Sequence, residues 1–174
     1  MKKTIILSVM TTLVMSASIA QNNSADEKAV RNIVSTLETG WNNKSGETFS
    51  SVFADVHDYI VVNGFYFPGF TRQRNAAQHQ ILFDGMYKDH TIILKVDKIS
   101  FIRPDLAMVH ILGAGYEKGT TAPADPEIIM TVLAEKKNDV WKIISFHNHN
   151  LESFKDKARS PVPLEVMYAS WYKK

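Results

Sequence analysis

Trp141-Lys142-Ile143-Ile144-Ser145-Phe146-His147-Asn148-His149-Asn150 alternates like a β-strand and runs without a break into four polar residues. At period two, Trp141, Ile143, Ser145, His147 and His149 share one face, and Lys142, Ile144, Phe146, Asn148 and Asn150 share the other. Large apolar groups stand on both faces, so the strand is expected to be covered on both. The two imidazoles are either the polar floor of a pocket or surface residues at a strand end. Because His147 shares its face with Trp141, a residue that needs a core, the pattern predicts that His147 looks inward.

Upstream, the chain continues as strands. Ile128 to Glu135 is apolar on both faces and is joined to the final strand by the turn formers Lys137-Asn138-Asp139. Leu106, Met108, His110 and Leu112 alternate with Ala107, Val109 and Ile111, which predicts a central strand. Before it, Thr91 to Phe101 alternates up to the tight turn Arg103-Pro104-Asp105. Glycines 113, 115 and 119, with Pro123 and Pro126, mark a bend and a loop.

The N-terminal half reads as helices around one hairpin. Ser24-Ala25-Asp26-Glu27 has the form of a capping box, and Ala29, Val30, Ile33, Val34, Leu37 and Trp41 follow as one helical stripe. Asn42 to Gly46 ends that helix, and Glu47 to Phe53 is expected to form a short one. Tyr59 to Val62 is a strand closed by the hairpin signal Asn63-Gly64. Phe65 to Phe67 returns, and Pro68-Gly69 is expected to stop it. Thr71 caps a helix over residues 72–86, on which Ala76, His79, Phe83 and Met86 share a face. His79 there is either a hydrogen-bonded core residue or a pocket residue. Beyond Asn150 the chain is charged, then Leu164, Met167, Tyr168 and Trp171 recur at helical spacing, so the tail should dock on the domain or on a partner.

Composition narrows the class. Residues 1–20 have a basic start at Lys2 and Lys3, an apolar stretch and a small-x-small end at Ser18-Ile19-Ala20, the form of a signal peptide. An exported protein, periplasmic or secreted, is expected, with one domain over residues 21–150 and a C-terminal extension over 151–174. Without Lys2 and Lys3 the formal charge of +2 falls to zero, which gives no electrostatic case for nucleic acid or an anionic membrane. There is no cysteine, so stability must come from a core.

Helix, short helix, hairpin, helix and a meander of long strands is an α+β order in which a curved antiparallel sheet wraps the helices. With Ala29 to Trp41, Phe53-Ala54-Asp55, Phe101 to His110, and Val140-Trp141-Lys142-Ile143 running into His147-Asn148, the chain resembles the nuclear-transport-factor-2-like superfamily. Within it, the likeness is to the SgcJ/EcaC-type and SnoaL-like relatives of ketosteroid isomerase. The resemblance covers about residues 25–150. It implies a cone-shaped fold with a pocket at the open end, commonly a homodimer and usually without metal or cofactor, in a group whose members isomerise, dehydrate, cyclise or hydrolyse small apolar molecules. Where the isomerase branch keeps its carboxylate base, this chain has Asn63, which cannot take a proton.

Two readings follow. As an enzyme, the protein would move a proton with His147, partnered by His110 or His79, while Asn63, Tyr59 or Tyr66 holds a carbonyl oxygen. As a binding protein, it would hold a small apolar or carbonyl-containing molecule among Trp41, Phe53, Phe67, Phe83 and Met86, with Tyr66, His79 and His149 as orienting contacts. No cofactor is expected, and no metal, because His147-x-His149 lacks a third ligand fixed by the sequence. A homodimer is expected to bury the outer sheet face around Ile111, Val132 and Ile144.

Overall fold

The computed structural model describes residues 24–151 and 162–173, so the expected signal peptide lies outside the described residues. Helix α1 spans residues 24–42 and buries the predicted stripe, with Val30, Ile33, Val34 and Leu37 all inaccessible. Asp26 ties the start of this helix to the sheet. Its Oδ1 accepts from Trp141 Nε1 at 2.9 Å and its Oδ2 from Lys136 Nζ at 2.8 Å. Burial would raise the Asp26 pKa, but these two hydrogen bonds outweigh it and hold the carboxyl below its usual value.

Helix α2, Gly46–Ser50, is capped by Ser45, whose Oγ accepts from the Thr48 amide at 3.1 Å. Strand β1, Phe53–Ile60, begins at Phe53 rather than Tyr59. Strand β2, Tyr66–Thr71, continues through Pro68-Gly69 instead of stopping there. That is possible because β2 is the edge strand of the sheet, where a missing N–H costs no ladder bond. Gly64, at φ +86°, makes the turn between them. Thr71 caps α3, Arg72–Asp84, as expected, with Oγ1 accepting from Arg74 N.

Four long strands complete the sheet: β3 His90–Arg103, β4 Leu106–Glu117, β5 Ile128–Lys137 and β6 Val140–Asn150. Asn138 and Asp139, both at positive φ, make the β5–β6 turn with the twist such hairpins need. The spatial order is β2-β1-β6-β5-β4-β3. Neighbours are antiparallel except β1 and β6, which run parallel. The result is the expected α+β architecture, a curved six-stranded sheet around the N-terminal helices.

One irregularity decides which way the last strand faces. Leu133 lies opposite Ser145, and Ala134 opposite Ile143, so Ile144 has no partner across the strands. This β-bulge shifts the alternation by one residue, and every side chain beyond it changes face. Trp141 and Ile143 point into the core, and so does Phe146. His147 and His149 therefore point outward and are exposed, which overturns the expectation that His147 faces the interior.

The outer face finds a cover within the same chain. Helices α4, Leu164–Met167, and α5, Ala169–Tyr172, place Tyr168 and Trp171 against Leu112 and Ala114 of β4 and against Leu151, with Ile93 and Ile129 alongside. Trp171 Nε1 donates to Ala124 O at 2.9 Å, and Tyr172 OH to Asp125 Oδ1 at 2.7 Å. The expected dimer surface needs correction, because Ile111 and Val132 belong to the inner core and Ile144 sits at the bulge. No described helix is long and apolar enough to cross a membrane.

Candidate functional site

An antiparallel meander brings the start of β3, the end of β4, the start of β5 and the end of β6 to one end of the sheet. There the sheet meets the C-terminal end of α1, and a cavity of about 240 Å³ opens. Its apolar wall comes from Trp41, Val62, Tyr87, Ile92, Ile128 and Met130; its polar groups are His90, Glu127, Asn148 and Asn150. Gly115 forms part of the wall, and a Cβ there would stand 3.2 Å from His90 Cε1 and 3.3 Å from Nδ1. Bare backbone thus gives the imidazole its place.

The polar groups of the wall are not used up by the fold. Trp41 Nε1 and Asn148 Oδ1 are shielded from water and have no hydrogen-bond partner. Each such atom costs on the order of 1–3 kcal/mol, a penalty seldom kept without a use. The Trp41 ring packs 4.9 Å from that of Tyr87 and 5.3 Å from that of Phe83. His90 Nε2 lies 3.6 Å from Glu117 Oε1, and its carbonyl accepts from Lys44 Nζ. No lysine or arginine is among the described residues lining the cavity.

A second polar group is closed inside the core. His57 Nδ1 donates to Ala54 O at 3.0 Å, and Asn75 Nδ2 donates to His57 Nε2 at 2.9 Å. His79 Nδ1 donates to Asn75 O at 3.0 Å and leaves Nε2 to accept from Tyr59 OH at 3.3 Å. Both rings are neutral in this arrangement. Burial lowers the His57 pKa and takes that of His79 down to about 4, while it pushes the Tyr59 hydroxyl up. The His79 ring also stacks on Phe49 at 4.1 Å. Tyr59 and His79 are therefore core residues and do not line the cavity.

The remaining candidates are distributed away from the cavity, apart from Trp41. His110 lies opposite Thr131, and Thr131 opposite His147, so the two histidines share one row across the outer face. Asn63 is exposed in the hairpin turn, where its Oδ1 accepts from Phe65 N. Tyr66, 53% exposed, donates to Asp58. Phe67 and Met86 are exposed, while Phe53 and Phe83 are fully enclosed in the core. Met86 lies beyond the end of α3 and so leaves the helical face that Phe83 buries.

Most of the polar residues that line the cavity sit at strand ends, where alternation carries least weight. His90 precedes the periodic run from Thr91, and Glu127 precedes Ile128. Asn148 needed the bulge at Ile144. Two larger hollows, of about 570 and 590 Å³, flank Arg72, but they are more open, and its guanidinium is already paired with Asp55 at 2.8 Å. Among the described residues no group of three or more histidine and carboxylate side chains is placed to hold a metal ion.

No protein-family model matches the chain, and no curated protein matches it by sequence. Solved structures do match. A domain of unknown function with a cystatin-like fold from Nostoc punctiforme PCC 73102 is 27% identical, with a TM-score of 0.68, over 82% of this chain and 90% of that one. An NTF-2-like protein of unknown function from Shewanella oneidensis MR-1 is 17% identical, with a TM-score of 0.59, over 71% and 98%. A hexachlorocyclohexane dehydrochlorinase, LinA type 2, is 12% identical, with a TM-score of 0.64, over 76% and 89%. The chain has the fold of the nuclear-transport-factor-2-like superfamily.

Proposed function

We propose that the protein binds a small, largely apolar, carbonyl-containing molecule in the cavity between α1 and the open end of the sheet. The observation that carries this reading is the pair of unpartnered polar atoms, Trp41 Nε1 and Asn148 Oδ1, on side chains of a wall that also holds His90, Glu127 and Asn150 among apolar groups. The volume is below the roughly 300–1,000 Å³ typical of sites for drug-sized molecules, so the ligand is small. A fragment library screened by thermal shift tests the site. A bound ligand at one hundred times its Kd stabilises by about 2.7 kcal/mol, and Gly115→Val, which drives a side chain towards His90 and into the cavity, should abolish the shift. Equal shifts in both proteins would place binding elsewhere.

One observation favours a second reading, cofactor-independent proton transfer. His90 lines the cavity with Nε2 3.6 Å from Glu117 Oε1, an imidazole and carboxylate combination suited to general base work, and a dehydrochlorinase shares the fold. In that case His90→Gln keeps the binding shift and loses turnover. Loss of binding as well would make His90 a contact rather than a base. Export with cleavage after Ala20 belongs to the same proposal, and an intact mass that begins at Gln21 supports it.

A further inference from the structure

The charges around the cavity carry a rule about its ligand, which rests on the binding reading above. Glu127 lines the cavity, Glu117 stands behind His90, and no lysine or arginine is among the described residues of the wall. The ammonium group of Lys44 is committed to the His90 carbonyl and lies over the Phe83 ring. At neutral pH, then, the wall offers fixed negative charge and no fixed positive charge to offset a second anion. An anionic ligand would bring its charge out of water beside Glu127 without a partner, which is costly.

The unpartnered atoms ask for the opposite kind of group. Trp41 Nε1 is only a donor and wants an acceptor; Asn148 Oδ1 wants a donor. Both atoms are shielded from solvent, so a ligand meets them through a small turn of the side chain. Asn148 can make that turn at little cost, because its Oδ1 has no bond to break. We infer that the cavity selects a neutral group that carries both a donor and an acceptor, a carboxamide being the simplest, on a small apolar body, and that it rejects carboxylates.

Three matched probes of one size test the rule: benzamide, benzylamine and benzoate, titrated by calorimetry into the mature protein and into Asn148→Leu and Glu127→Gln. The expected order is benzamide tightest, with benzoate at least about tenfold weaker, the difference one charge-assisted contact makes. Asn148→Leu should weaken benzamide by about tenfold, whereas Glu127→Gln should bring benzoate closer to benzamide. Benzoate equal to or tighter than benzamide in the wild type overturns the inference while leaving the binding site in place. Benzylamine binding tightest would also overturn it, because the wall would then be selecting cations. If none of the three probes binds, both the rule and the binding reading fall.

Discussion

At the scale of single residues, the core ties its polar groups into a hydrogen-bonded chain but leaves Asn75 Oδ1 unpartnered, as the cavity leaves Trp41 Nε1 and Asn148 Oδ1. In the core, His57, Asn75, His79 and Tyr59 pass hydrogen bonds from one to the next, so loss of one leaves a buried neighbour unpaired. At the cavity, Asn148 has nothing to lose. Asn148→Leu should therefore leave the unfolding midpoint unchanged or raise it, by up to about 1–3 kcal/mol, while ligand binding is lost. A large drop in stability, measured by urea unfolding, would mean that the amide is bonded after all. The histidines give a pH dependence of known sign. Folding lowers the pKa of His79 from 6.5 to about 4 and lowers that of His57, so the unfolded chain binds more protons between those values. Stability should rise with pH from about 4 to 6.5 and be flat above, with His79 contributing on the order of 3 kcal/mol. Urea midpoints at pH 4.5, 5.5, 6.5 and 7.5 check this. Asp26 acts lower: its depressed pKa gives stability that is present above pH 3.8 and lost as pH falls through the folded value.

At the scale of elements, the strands decide the site and one extra residue decides the strands. Ile144, unpaired across β5 and β6, moves Asn148 into the cavity wall and His147 to the outside. Deletion of Ile144 should remove the bulge and leave Ile143 opposite Ala134, Ser145 opposite Leu133 and Phe146 in the core. A change in stability well below the about 3–5 kcal/mol that emptying a large aromatic site costs is the expected outcome in urea unfolding. A loss of that full size would show that the bulge is not what sets the register. The same element explains what the sequence disclosed. Long periodic runs such as Ala29 to Trp41 and Leu106 to Leu112 fix their own faces, because each buried residue confirms the last. A bulge leaves no such mark, for Trp141 to Phe146 is apolar on both faces and either register buries something large. Pro68-Gly69 likewise signals an end to a strand by itself; only the edge position of β2 lets the pairing continue. Trp41 was legible as a candidate because it ends a helical stripe, while His90 and Glu127 lie just outside the periodic runs.

At the scale of the molecule, a sheet apolar on both faces needs two covers. The N-terminal helices supply one, and α4 and α5 supply part of the other through Tyr168 and Trp171. A chain ending after Pro163 should expose Leu112, Ala114 and Ile129 and so self-associate; light scattering reads this directly, and a stable monomer would show that the tail is dispensable. A homodimer of the full chain is expected to use the rows around Met108 and Leu133, which lie opposite each other and are half-buried. The central claim, that the cone's mouth is the ligand site, can be read from the three indole N–H signals in a nitrogen–proton correlation spectrum. Trp141 Nε1 is bonded to Asp26 and Trp171 Nε1 to Ala124, whereas Trp41 Nε1 has no acceptor. Titration with benzamide should move the Trp41 indole signal downfield and leave the other two in place; a Trp41 signal that stays fixed while the protein saturates would contradict the account.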